Sequence, residues 1–213
     1  MNSLCALFSR GCLTVGLTLL VLAAPALVRA GNGPMELAGI RLGQSVDALS
    51  GKLVHSEVDP SPYRPSVGIA AVAPLPGYRS GYVDVGLCAN PGHVVRIKMN
   101  YADGSLAFYE KLLEALKKRY GEPKEWRGNA FGTLRTWKWS LHGPADEPVS
   151  VILMHYDGED GAFTDGNSIR ISATDMVRQE ERCQAARSKA GGATSADRDM
   201  DAESLGLDWF LPR

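Results

Sequence analysis

Between Val95 and Tyr101 every second residue is apolar: Val95, Ile97, Met99 and Tyr101 alternate with Arg96, Lys98 and Asn100. A period of two puts successive side chains on opposite faces and predicts a half-buried strand. The preceding run alternates as well, with Val83, Val85 and Leu87 set against Tyr82, Asp84, Gly86 and Cys88. Asn90-Pro91-Gly92 lies between the two runs. Pro presets the first turn position and Gly supplies the positive φ of the second, so a type II turn joining antiparallel strands is expected. Farther along, Arg135, Trp137, Trp139 and Leu141 alternate with Thr136, Lys138 and Ser140. Val149 to Tyr156 is apolar on both faces, the pattern of a central strand covered on both sides. Ile169 and Ile171 mark a last strand at 168–172.

In three places the period changes to that of a helix. Tyr109, Leu112, Leu113, Leu116 and Tyr120 recur at i, i+3, i+4, i+7 and i+11, one apolar stripe of a helix over 105–120. Glu114 and Lys118 form an i,i+4 pair on its other face. Ser105 is placed to cap its start, and Gly121 followed by Pro123 ends it. After a short strand carrying Leu37, Ile40 and Leu42, Val46, Leu49 and Leu53 predict a helix over 45–53 with Ser45 as N-cap. A helix over 176–189 carries only a thin stripe, Met176, Val177, Cys183 and Ala186. Ser172 and Asp175 are spaced like a capping box before it.

The intervening stretches read as loops. Residues 54–81 hold Pro60, Pro62, Pro65, Pro74 and Pro76, with space for one edge strand at 67–72. Residues 122–133 form a loop bearing Trp126 and Phe131, and 157–167 an acidic, Gly-rich one. A helix followed by an antiparallel meander, twice over, describes an α+β fold: a meander sheet with helices packed on one face. This order is similar to small envelope domains built of helix-meander units, such as outer-membrane assembly lipoproteins and secreted β-lactamase inhibitor proteins. The shared local signals are a turn serine opening one helix and Tyr120-Gly121-Glu122-Pro123 closing another. The similarity is one of fold alone.

Residues 1–30 have the form of a secretory signal peptide. Arg10 precedes an uncharged, Leu-rich run from Leu13 to Val28, and Val28-Arg29-Ala30 offers small residues where a signal peptidase reads. That run of 16 residues is short of the roughly 20 that span a bilayer. The expected organisation is a signal peptide (1–30), a single α+β domain (31–190), and a disordered acidic linker ending in an apolar segment (191–213). No second apolar run suggests a membrane span after cleavage. Two of the 23 basic residues fall in the first thirty, and none of the 24 acids does. A balance of 21 against 24 argues against nucleic-acid binding driven by bulk charge. Cys5 and Cys12 would leave with the signal, and two remaining cysteines in an exported chain usually pair, so a Cys88–Cys183 disulfide is expected.

Candidate chemistry is sparse. No Gly-x-Ser-x-Gly or comparable nucleophile setting occurs. The loop from Asp157 to Asn167 offers oxygen ligands but lacks the spacing and bidentate Glu of a calcium loop, so it reads as a solvated hairpin connection. No metal or cofactor is called for. Trp126 and Arg135 are residue types enriched in binding hot spots. Trp137 and Trp139 share a strand face and read as core. Trp209 and Phe210 form an apolar cluster at the end of a polar linker, suited to docking. The sequence therefore points to an exported, non-enzymatic domain that binds a partner protein of the cell envelope. The alternative is a small hydrolase or ligand-binding enzyme using His155 with Asp157 or Asp165.

Overall fold

The computed structural model describes residues 33–55, 57–158 and 163–192. The expected signal peptide and the C-terminal segment with Trp209 and Phe210 lie outside the described residues. The chain opens with a two-stranded hairpin, β1 (Glu36–Leu37) and β2 (Ile40–Arg41). Eight further strands form one antiparallel sheet: β3 (Asp59–Pro60), β4 (Val67–Ala71), β5 (Tyr78–Gly86), β6 (Val94–Tyr101), β7 (Glu125–Gly128), β8 (Leu134–His142), β9 (Pro148–Tyr156) and β10 (Gly166–Ala173). Their order across the sheet is β3-β4-β5-β6-β10-β9-β8-β7. The expected α+β class is therefore observed, and the two meanders fuse into a single sheet where β10 pairs with β6.

Helix α1 (Leu106–Tyr120) makes this order possible. It leaves β6 at the middle of the sheet and delivers the chain to β7 at the far edge. Its 15 residues extend about 22 Å at 1.5 Å each. Four strand spacings measure about 19 Å, the gap that β8, β9 and β10 then fill on the way back. Both ends are specified locally, as the sequence indicates. Ser105 Oγ accepts from the Phe108 N–H at 3.2 Å, and Gly121 takes φ 78° at the C-terminus. The expected stripe of Tyr109, Leu112, Leu113, Leu116 and Tyr120 packs on the core.

That core lies between one face of the sheet and a cover of α1 and the N-terminal segment. Val83 and Val85, Ile97 and Met99, Ile169 and Ile171, Val151 and Leu153, and Trp139 and Leu141 meet Ile40, Leu42, Val46 and Leu49 there. Trp139 is 1 % exposed, and its Nε1–H donates to the Gly121 carbonyl at 2.8 Å. Its polar edge is thereby satisfied at the helix cap.

Helix α2 (Thr174–Gly192) follows β10 and runs past the ends of β5, β6, β9 and β10. Its apolar stripe is thin, and a covalent bond and a buried carboxylate hold it. Cys183 bonds to Cys88 with their Cα atoms 5.8 Å apart. Glu180, 0 % exposed, accepts from the backbone N–H groups of Leu87 (3.0 Å), Cys88 (2.7 Å) and Asn90, and from Asn90 Nδ2 (3.1 Å). Burial raises the Glu180 pKa, but these hydrogen bonds outweigh it and hold the carboxyl below its ordinary value. Gly86 lies so close that a Cβ there would meet the Asn90 carbonyl and, at 2.7 Å, Glu180 Oε1.

Five local expectations need correction. The helix over 45–53 is one 3-10 turn, Val46–Leu49, because Ser50-Gly51 interrupts it and Leu53 bridges to Val72; Ser45 does cap it. The loop at 122–133 contains β7, so Trp126 belongs to a strand opposite Trp137. The strand at 67–72 is not the edge, since the two-residue β3 lies outside it. Ser172 does not cap α2: it pairs within β10, and its Oγ accepts from Arg96 Nε at 3.1 Å. The outer side of β9 is only half-covered at Ile152 and Met154, because among the described residues no layer packs on it there. Among the described residues no helix is long and apolar enough to cross a membrane.

Candidate functional site: a cationic groove on the open face of the sheet

The same alternation that buries one face of each strand turns the other residues toward the uncovered face. The pairing register sets them in transverse rows. Lys98 of β6 stands beside Arg170 of β10, Arg170 beside Ile152 of β9, and Ile152 beside Lys138 of β8. On one side runs the row Arg96, Ser172, Ser150, Ser140, and on the other Asn100, Ser168, Met154, Thr136. Thr174, Val177, Arg178 and Glu181 of α2 wall one end, and Phe163 stands at the rim. The result is an open groove of about 750 Å³ lined by seven Lys or Arg and two Glu side chains.

Neutralisation within it is uneven. Lys138 pairs with Glu125 at 2.6 Å, and Arg178 with Asp175 at 3.2 Å on the exposed side of α2. At the β5 end, Asp84, which has no exposed surface, holds Arg64 through both carboxylate oxygens (2.6 and 2.9 Å) and Arg96 at 2.7 Å. Burial pushes the Asp84 carboxyl up to about 6, against Arg64 and Arg170, which pull it down. Two of the three cations in the middle row, Lys98 and Arg170, lack such a partner among the described residues. Lys98 meets Thr164 Oγ1 at 3.3 Å and lies 5.9 Å over the Tyr82 ring. Burial first, then Arg170, Arg79 and Arg64, lowers its pKa. Arg170 forms no ion pair among the described residues, and its buried Nε has no hydrogen-bond partner. Burial also weakens its hold on a proton, offset in part by Tyr82 and Asp84. Two adjacent, partly desolvated cations repel each other, and an anion between them lowers that cost.

The residues singled out from sequence fall elsewhere. Trp126 is 55 % exposed and on the α1 side of the sheet, its ring 6.2 Å from that of Trp137. Arg135 also faces the α1 side, and the register places it beside His155. Both line a smaller pocket of about 450 Å³ at the start of α1, with Ser105 and Asp157 on its wall. The His155 Nδ1 lies 2.8 Å from Asn167 Oδ1, an amide, while Ser105 Oγ caps α1. Asp165 does not line this pocket. Residues 159–162, the middle of the acidic loop, lie outside the described residues. The groove cations Arg96, Lys98, Lys138 and Arg170 escape a search for motifs. Their one signal is a basic residue at the polar phase of three separate alternating runs. Comparison with known protein families, curated proteins and solved structures finds no match.

Proposed function

We propose that this chain is an exported, non-enzymatic binding module whose open sheet face takes an acidic segment of an envelope protein. The observation that carries the reading is the Lys98–Arg170 row, without a carboxylate partner among the described residues, at the floor of a groove rich in cations. Charge complementarity selects an anionic occupant. Ile152, Met154, Val177 and Leu134 share the lining, which favours a peptide that interleaves acidic and apolar side chains over a bare polyanion. The disulfide and the signal-like first thirty residues support a periplasmic or secreted location.

The test uses the chain from residue 31 and fluorescence anisotropy of a labelled peptide of alternating Asp and Leu. Saturable binding that weakens with salt, and weakens further in the double variant Lys124→Glu, Arg178→Glu, is expected. Both positions are exposed, so the fold should survive. No binding at low ionic strength, or binding indifferent to the double charge reversal, rejects the reading.

The second reading, a small hydrolase, draws on His155 and Asp157 sharing the smaller pocket. It wants for an orienting carboxylate, since an amide holds the imidazole, and the serine on the pocket wall, Ser105, is engaged as a helix cap.

A further inference from the structure

The pocket at the start of α1 lies on the opposite face of the sheet from the groove, and its chemistry is separate. Arg135 of β8, His155 of β9 and Asn167 of β10 form one transverse row. Asn167, with no exposed surface, fixes the row to the helix start. Its Nδ2 donates to the carbonyls of Asp103 (2.9 Å) and Ser105 (2.8 Å), groups that only accept. Its Oδ1 is then the acceptor toward His155, so His155 Nδ1 carries the hydrogen. The other ring nitrogen, Nε2, has no partner among the described residues, although His155 is 5 % exposed and lines the pocket.

Three kinds of anion-binding group converge there. Arg135 meets no carboxylate within ion-pair distance among the described residues, and its Nε donates to the Gly132 carbonyl at 3.3 Å, leaving the guanidinium end free. The first N–H groups of α1, at Leu106 and Ala107, have no intrahelical acceptor, and the helix dipole adds partial positive charge at that end. His155 Nε2 completes the set. Tyr109 packs its ring 5.5 Å from His155, and its buried hydroxyl also lacks a partner among the described residues. One acid, Asp157, lines the wall and disfavours highly charged ligands.

We infer that this pocket binds a small oxyanion, a carboxylate or a phosphate, between Arg135, His155 Nε2 and the first turn of α1. The guanidinium takes two oxygens in its planar fork. The helix N–H groups take a further oxygen of a phosphate, or share one with the guanidinium when the ligand is a carboxylate. His155 Nε2 accepts from a protonated oxygen of the ligand, or donates when the ring itself is protonated. The site serves a compact group and not the extended occupant of the groove, so the two readings stand or fall separately.

The test follows the His155 ring resonances by NMR while inorganic phosphate, and in a separate arm acetate, is added to the chain from residue 31. A saturable shift at His155 in either arm is the expected result, and the arm that responds identifies the oxyanion. Arg135→Gln should weaken it about tenfold to a hundredfold, the loss of a charge-assisted bidentate contact. Circular dichroism checks that the variant is folded. If neither anion moves His155 saturably in the native protein, or if the shift persists unchanged in a folded Arg135→Gln variant, the inference is overturned.

Discussion

Replacing Glu180 with alanine removes the acceptor of four N–H groups at once: three backbone groups in the turn after β5 and the Asn90 amide. A hydrogen bond to a charged group contributes about 1.5–3 kcal/mol, and a buried donor left without a partner costs about 1–3. Leu87 is exposed, so water reaches part of the turn after the carboxylate is gone, and the lower values apply. About 1 kcal/mol for each donor gives a total of about 3–4 kcal/mol. Domains of this kind hold about 5–15 kcal/mol altogether. For a chain of this size the melting temperature should fall by roughly 10 °C. The assay is urea unfolding followed by tryptophan fluorescence, with the disulfide intact in both proteins. A loss under about 1 kcal/mol would refute the claim that Glu180 organises the turn. A pH series adds a second check. The folded-state pKa lies below the ordinary 4.5, so the Glu180 contribution is fully present above that value. It is lost as the pH falls through the lower folded-state value. Glu180→Gln should lack that part of the acid limb.

Reduction of Cys88–Cys183, which spans 95 residues, should cost about 4–5 kcal/mol in the chain-entropy account, and neither thiol should alkylate in the native protein before reduction. Trp139→Phe removes the indole bond to Gly121 and some buried volume, so a loss of about 2 kcal/mol in urea unfolding is expected. The Asp84 carboxyl takes up a proton near 6. That removes a negative charge beside Arg96, so binding of the acidic peptide should tighten as the pH falls from about 7 to about 5.5. In Asp84→Asn the tighter binding should already be present at neutral pH and show no such slope.

Local order was largely legible in the residues. The ends of α1, the alternating strands and the cysteine pair follow from capping chemistry, period and compartment, each settled within a few positions of chain. The strand order was not. Nothing in Ile169 or Ile171 says that β10 lies between β6 and β9, because pairing partners distant in sequence leave no periodic mark. The groove was hidden for the same reason. Arg96, Lys98, Lys138 and Arg170 each read as an ordinary solvated position on a strand. A chain slightly acidic overall gives no hint that its bases share one face, since net charge carries no geometry. Glu180 was overlooked because a lone glutamate on a polar helix resembles its solvated neighbours until its backbone donors are known. Arg135 and His155 were noticed separately, one for hot-spot chemistry and one for catalysis. Only the register shows them side by side.

The place of β10 has a consequence for how the chain is made. Without β10 the sheet would be two separate halves, with the inner edges of β6 and β9 lacking their partner strand. The seam closes only when residues 166–173 are available, some 70 positions after β6, so the last strand to appear is the one on which the sheet depends. Such long-range closure is slow. The sheet of a chain of this design is completed only after most of the chain has been made, a property compatible with the export proposed above. Until then it presents bare strand edges to any chaperone that escorts it.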